Sequence, residues 1–406
     1  MGSKVAVIGA GAFGGWTAFH LQREGAEVTL IDAWGPGNSR SSSGGESRVI
    51  RSIYGPHPEY ATLMARAYAL WNHWQGAWGR RLYIRTGGIW LFAEDDHYAS
   101  SSLPLLEGNG IKAERWELEK AVRRFPQINF EDVRSVFFEA GAGYLLARQS
   151  CRVVADEFVS MGGRYLQSMV APVREEGACM ESVLLSDGSK LEADHFVFAC
   201  GPWLGRMFGD AIGRRIRPTR QEVFYFGCPA GDESYSEKHM PVWVDFHRTR
   251  GPHGANWDRS ASYGIPGNED RGFKIAEDVL GDDFDPTNGD RIPSQEGIEA
   301  ARKHLAFRFP GLGNPPLLEA RVCQYENSPD SHFVLDRHPR LENVWIAGGG
   351  SGHGFKMGPA VGEMMAALVL GKREAMPKFS MQRLLDVAPP EEDEREAGAA
   401  GAFGQS

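Results

Sequence analysis

The stretch VAVIGAGAFGGWTAFHLQREGAEVTLIDAWGP, residues 5–36, restricts the fold of this chain more than any other. Apolar runs at 4–8 and 27–32 read as buried parallel strands, and the residues between them read as a helix that Gly25 ends. Gly9, Gly11 and Gly14 stand where a strand turns into that helix. The first permits the tight turn, the second lets backbone approach a pyrophosphate, and the third lets the helix lie close to the strand. With Ala10, Ala12 and Phe13 they place the free amides of a helix N-terminus before an anion. Asp32 follows Gly14 by 18 residues and ends the second strand, where a carboxylate accepts from ribose hydroxyls. The pattern predicts a dinucleotide-binding unit, against the alternative of a ligand-free strand–helix turn. It leaves nicotinamide and flavin both open.

A second glycine loop, AGGGSGHGFKMGPAVGEMM at 347–365, favours the flavin. It repeats the grammar of strand, glycines and helix, and brings a second set of amides toward one cofactor. A helix N-terminus at the pyrimidine edge of a flavin stabilises negative charge on the reduced ring. Between the two loops, GPGNSRSSSGGESR (35–48) predicts a long functional loop. Helices are expected at 58–76, 150–161 and 294–309, a strand at 87–92, a buried strand running into a turn over 195–203, and short β-runs through 216–280.

A length of 406 residues fits two domains or one large composite fold. The net charge of −9 argues against a nucleic-acid partner, and no apolar run is long enough to predict a membrane span. The first residues lack a signal-peptide pattern. Five scattered cysteines without CxxC spacing argue against zinc or a disulfide framework, so no metal is expected and a reducing cytoplasm is. The acidic, small-residue tail 388–406 is expected to be disordered.

Six separate stretches carry a more specific signal: VIGAGAFG, SGGESRVIRSIYG, ASYGIP, GFK, CQYENSPDSHFVLD and SGHGFKMGP. Together, over about residues 4–372, the chain resembles the monomeric sarcosine oxidase family of flavin amine oxidases, within the D-amino acid oxidase superfamily. That group includes N-methyltryptophan oxidase and pipecolate oxidase. The resemblance implies an α/β fold. A discontinuous Rossmann-like FAD domain would span 1–85, 150–215 and 316–375, and an antiparallel-sheet α+β substrate domain 86–149 and 216–315. It implies a monomer that oxidises a secondary, N-methyl or cyclic, amino acid. A hydride equivalent passes to FAD, the imine hydrolyses, and O₂ becomes hydrogen peroxide.

The site residues follow from the same resemblance. Cys323 in CQY would tether the flavin covalently, and Arg48 would lie beside it. Arg51 and Lys356 would hold the substrate carboxylate, as a bidentate guanidinium and a second cation suit. Lys274 would face the flavin and assist reduction of O₂, while Tyr263 and Tyr325 would line the amine pocket. Ser42, Ser43, Val170, Gly350, Gly352, His353 and Gly354, along with Lys356, would complete the cofactor contacts, with His353 structural in role. One position departs from the family: four residues after Lys274, where sarcosine oxidases carry an active-site histidine, stands Asp278. An acid there suits a further amine or hydroxyl on a larger substrate and makes sarcosine itself less secure. Residues 247–260, long and polar, are expected to reshape the entrance. The competing readings are a dehydrogenase with an acceptor other than oxygen, and a non-catalytic flavin-holding subunit.

Overall fold

In the computed structural model, which describes residues 2–246 and 261–387, the run KVAVI forms the strand Lys4–Ile8 near the middle of a six-stranded sheet. The spatial order is Val334–Arg337, Val344–Gly348, His195–Phe198, Lys4–Ile8, Glu27–Asp32 and Arg164–Gln167. All neighbours are parallel except the first pair. Central strands of such a sheet are buried on both faces, which is why they read as unbroken apolar runs. The stretch 247–260 and the acidic tail 388–406 lie outside the described residues.

Helix Ala12–Arg23 leaves the first strand through the glycine turn, and Gly25 follows it with φ +88°. A Cβ on Gly14 would overlap the Gly9 carbonyl oxygen, so glycine is required for this strand–helix approach. Helix Gly358–Val369 packs against the same helix, where a Cβ on Gly362 would meet the Trp16 backbone. Helix Pro58–Ala77 covers both, and the Trp16 and Trp71 rings meet edge to face at 5.4 Å. The predicted helices at 58–76, 150–161 and 294–309 are present as Pro58–Ala77, Ala147–Ser160 and Gln295–Arg308.

The second large sheet has eight strands: Leu317–Asn327, Arg217–Phe226, Phe273–Asp278, Ala261–Ile265, Val242–Phe246, Gly88–Phe92, Ser135–Glu139 and Ala113–Trp116. It is antiparallel except between Val242–Phe246 and Gly88–Phe92. The edge strand Leu317–Asn327 falls in a segment the sequence assigned to the cofactor unit. It pairs instead along Arg217–Phe226, from Arg217 opposite Asn327 to Phe226 opposite Leu317. Its chain then returns to the parallel sheet, so this one strand carries Cys323, Tyr325 and Glu326 to the seam between the sheets. Strand Ser47–Ile50 pairs with Gly143–Leu146, which in turn pairs with Tyr83–Ile84.

The fully buried Arg308 donates to Asp245 at 2.7 and 3.1 Å and to Asp132 at 2.8 Å, fastening helix Gln295–Arg308 to the eight-stranded sheet. Removing one partner of such a buried pair costs about 3–5 kcal/mol. Among the described residues no helix is long and apolar enough to cross a membrane.

Candidate active site

A cavity of about 1180 Å³, counted with its open mouth, lies at the carboxyl ends of the parallel strands, walled by Ile8, Asp32, Ala199 and Ala347. Open α/β sheets bind ligands at that edge. Gly9 takes φ +106°, which side-chain-bearing residues rarely adopt. Gly9, Gly11, Ala12 and Phe13 form one wall, while Ala10 and Gly14 support the turn. The Ala12 amide donates to Ser43 Oγ at 3.1 Å, tying the helix start to the long loop. Asp32 accepts from Ala10 N at 2.8 Å through Oδ2, and from Trp34 N at 2.9 Å and Gly35 N at 2.7 Å through Oδ1. Burial pushes its pKa up, and the three amides oppose that only in part. The carboxylate therefore organises the turn as well as walling the cavity.

Ser42, Ser43, Val170, Gly350, Gly352 and Gly354 line the cavity as expected, whereas Arg48, Cys323, His353 and Lys356 lie outside its lining. Gly352 takes φ +77°, and a Cβ there would lie 2.5 Å from the Tyr325 ring. Ser42 Oγ and Glu326 Oε2 are buried with no hydrogen-bond partner among the described residues. Leaving such an atom unpaired costs about 1–3 kcal/mol, so the cavity is suited to a large polar ligand.

Next to Ser42 the structure gathers Arg48, Cys323 and Lys274. Arg48 donates to Ser42 O at 2.6 Å and Ser47 O at 2.9 Å, and its Nη2 lies 3.3 Å from Cys323 Sγ. Burial works against the Arg48 charge, but Cys323 and tyrosines 263, 225 and 325 outweigh it and raise the guanidinium pKa. Lys274 is 1% exposed and donates to Ser47 O at 2.8 Å. Burial first, then the Arg48 charge, push its pKa down to about 7.

A second pocket, about 560 Å³, is walled by Arg51, Lys356, Asp278, Val49, Val244 and the rings of Trp90, Tyr98, Phe246, Tyr263 and Tyr325. Tyr325 also lines the first cavity, which makes the two spaces neighbours. The Arg51 guanidinium sits 4.6 Å from the Tyr54 ring centre and 5.1 Å from that of Trp90, and donates to Ile53 O at 2.6 Å. Burial opposes its charge, yet Tyr98, Tyr54, Asp278 and Glu139 together raise its pKa. Lys356 donates to Tyr54 Oη at 2.9 Å and His353 O at 3.0 Å; burial and then Arg51 push its pKa far down. Burial pushes the Tyr263 and Tyr325 hydroxyl pKa values up, and the two neighbouring hydroxyls also act on each other. The His353 ring lies 2.9 Å from Ser331 O and stacks on Phe333 at 4.9 Å, a structural position.

The family described as DAO, FAD dependent oxidoreductase, matches residues 4–368. The chain belongs to this family. A monomeric sarcosine oxidase from Arthrobacter sp. (strain TE1826) is 27% identical over 379 residues, covering 91% of this chain and 93% of that protein. An N-methyl-L-tryptophan oxidase from Salmonella heidelberg (strain SL476) is 27% identical over 382 residues, covering 90% and 94%. The solved L-proline dehydrogenase from P. horikoshii superposes with a TM-score of 0.80 at 22% identity, over 95% of this chain and 98% of that one. Membership of an FAD-dependent family agrees with the cavity: glycine backbone for phosphates, Asp32 for a ribose, and unpaired Ser42 and Glu326 oxygens for further hydroxyl or amide groups.

Several residues of the site escaped the sequence reading. Glu139, fully buried, accepts from Ser52 N at 2.7 Å, from Ser52 Oγ and from Trp90 Nε1 at 2.6 Å. Burial raises its pKa against those donors. Its one sequence signal is an acid closing the apolar run SVFF. Tyr54 lies within the motif that holds Arg51, whereas Trp90, Tyr98, Val244 and Phe246 carry no signal, being joined only by strand pairing and loop packing.

Proposed function

We propose that this chain is an oxidase of a secondary amino acid, with FAD as cofactor and O₂ as acceptor. The observation that carries the reading is the small pocket: two basic side chains, the Arg51 guanidinium and the Lys356 amine, set in an aromatic box that shares Tyr325 with the cofactor cavity. When bound, FAD supplies the two-electron acceptor that takes a hydride equivalent from the carbon next to nitrogen and passes the electrons to O₂, giving hydrogen peroxide.

The residues of the chain do the rest. Arg51 grips the substrate carboxylate, its plane set by the Tyr54 and Trp90 rings. Lys356, whose proton is held weakly in the empty pocket, becomes a stable ammonium once a carboxylate lies beside it. The surplus proton of an incoming zwitterion sits on its nitrogen, so transfer to Lys356 Nζ leaves the neutral amine that the chemistry needs. Tyr263, Tyr325, Trp90 and Phe246 exclude water and hold the N-alkyl group by apolar and ring-face contact. Asp278 on the same wall accepts from a further N–H or O–H, which favours a substrate larger than sarcosine.

Cys323, beside the Arg48 guanidinium, is the tether to the flavin ring. Lys274 places a positive charge where superoxide-like charge develops, which favours oxygen over other acceptors. The test is a peroxide assay across sarcosine, N-methyl amino acids, pipecolate and glycated amino acids, run beside a dye-reduction assay without oxygen. Peroxide formation from a secondary amino acid is expected. Turnover with dye and none with oxygen would make the chain a dehydrogenase, and no turnover with either would leave a flavin-holding protein.

A further inference from the structure

Glu326 takes no part in the function proposed above, yet it is the acid most deeply committed to the cofactor cavity. It is 9% exposed and lines that cavity. The backbone amides of Gly349 and Gly350 oppose the effect of burial on its carboxyl, and a Cβ on Gly350 would lie 2.9 Å from Oε1. Oε2 is enclosed, since a Cβ added at Gly201 or Gly348 would lie 3.7 or 3.4 Å from it, and it has no partner among the described residues. Among the described residues no Lys or Arg lines the cavity to neutralise a carboxylate. An enclosed oxygen left unpaired this way points to a ligand group.

We propose that Glu326 is a cofactor-binding residue whose Oε2 hydrogen-bonds a hydroxyl of the polyol chain that links the ring and the phosphates of bound FAD. The placement follows from the strand. Cys323, three residues earlier, lies at the expected ring end, while Gly9, Gly11 and Asp32 form the phosphate and ribose end. Glu326 lines the same cavity on the strand that carries Cys323, against Gly201, which opens the short 3-10 turn after the central strand His195–Phe198. The chemistry agrees. Burial pushes the Glu326 pKa up to about 7, so both protonation states are present near neutrality. A phosphate oxygen pairs only with the protonated acid, and a ring N–H pairs best with the ionised form. A hydroxyl donates and accepts, and so pairs with either.

The inference rests on FAD being the cofactor. The test uses protein carrying Cys323→Ser, so that flavin is free to leave, loaded in turn with FAD and with analogues that each lack one polyol hydroxyl. Release after dilution is followed by flavin fluorescence. One analogue is expected to leave about tenfold faster than FAD. Adding Glu326→Ala should speed FAD release by about the same factor and abolish the difference between that analogue and FAD, while Glu326→Gln should largely preserve it. Equal penalties for the analogue with and without Glu326→Ala would overturn the proposal, since a residue that merely props the glycine loop cannot sense one hydroxyl. If the alanine variant does not fold, the analogue series on the parent protein decides: no single hydroxyl mattering overturns it. Failure of the parent to retain any FAD would instead sink the cofactor reading, and this inference with it.

Discussion

The cofactor cavity and the substrate pocket share Tyr325 and little else. The larger space, about 1180 Å³, presents glycine backbone, serine hydroxyls and two acids, and among the described residues no Lys or Arg lines it. The smaller, about 560 Å³, concentrates Arg51, Lys356 and Asp278 among five aromatic rings. Backbone donors suit a ligand common to a whole family, because their geometry needs only that side chains be absent. Charged groups withdrawn from water are costly unless matched, so a pocket that holds the buried Lys356 and the half-buried Arg51 discriminates between substrates. The Glu139 carboxylate beneath Arg51, held by Ser52 and Trp90, shows how much structure that second strategy demands.

The sharpest break in this contrast concerns Cys323, the single covalent contact proposed for the cofactor side. Acid-precipitated wild-type protein should give a yellow pellet and Cys323→Ala a colourless one with free flavin in the supernatant; a colourless wild-type pellet removes the tether. Arg51→Ala comes next. It should lower kcat/KM for amino acids by about 100-fold, or ~3 kcal/mol, while sparing amines that lack a carboxylate. Equal loss for both classes would mean that Arg51 shapes the pocket rather than reading charge.

Lys274→Met should slow reoxidation of the reduced enzyme by about 100-fold in stopped-flow experiments and leave anaerobic reduction within a few-fold of wild type. The sign of the pH effect follows from the lowered pKa of about 7. Lys274 is charged below that value, so wild-type reoxidation should fall as pH rises through it, and the methionine variant should show no such step. Parallel losses in both half-reactions would move Lys274 from oxygen chemistry to general support. The smallest effect is expected at Asp278. Asp278→Asn should shift preference toward sarcosine and away from substrates with an extra N–H or O–H by about tenfold, read as a ratio of kcat/KM values. An unchanged ratio would place that group elsewhere.

The two regions also differ in how far they were legible beforehand. The turn at Gly9, Gly11 and Gly14, the helix after it and Asp32 at the end of the next strand stand as expected, since each depends on residues within one strand–helix–strand unit. The substrate pocket was legible only through motifs shared with a known family, which supplied Arg51, Lys356, Tyr263 and Tyr325. It omitted Trp90, Tyr98, Phe246 and Glu139, which lie on other strands and loops far away in sequence. The pairing of strand Leu317–Asn327 was not legible for a related reason: its edge partner, a hundred residues earlier, leaves no local mark.

What the sequence alone determined is where side chains had to be absent. Gly14 against the Gly9 carbonyl and Gly9 at φ +106° are demands of covalent geometry, satisfied or broken within a few residues. What only the tertiary structure decided is the charge and company of the residues that are present. Lys274 near pKa 7, Lys356 with its proton held weakly, and Glu326 with one oxygen unpaired owe those properties to burial beneath strands and loops from distant parts of the chain. Desolvation belongs to the surroundings of a group and not to its identity, and those surroundings exist only once both sheets have closed over it.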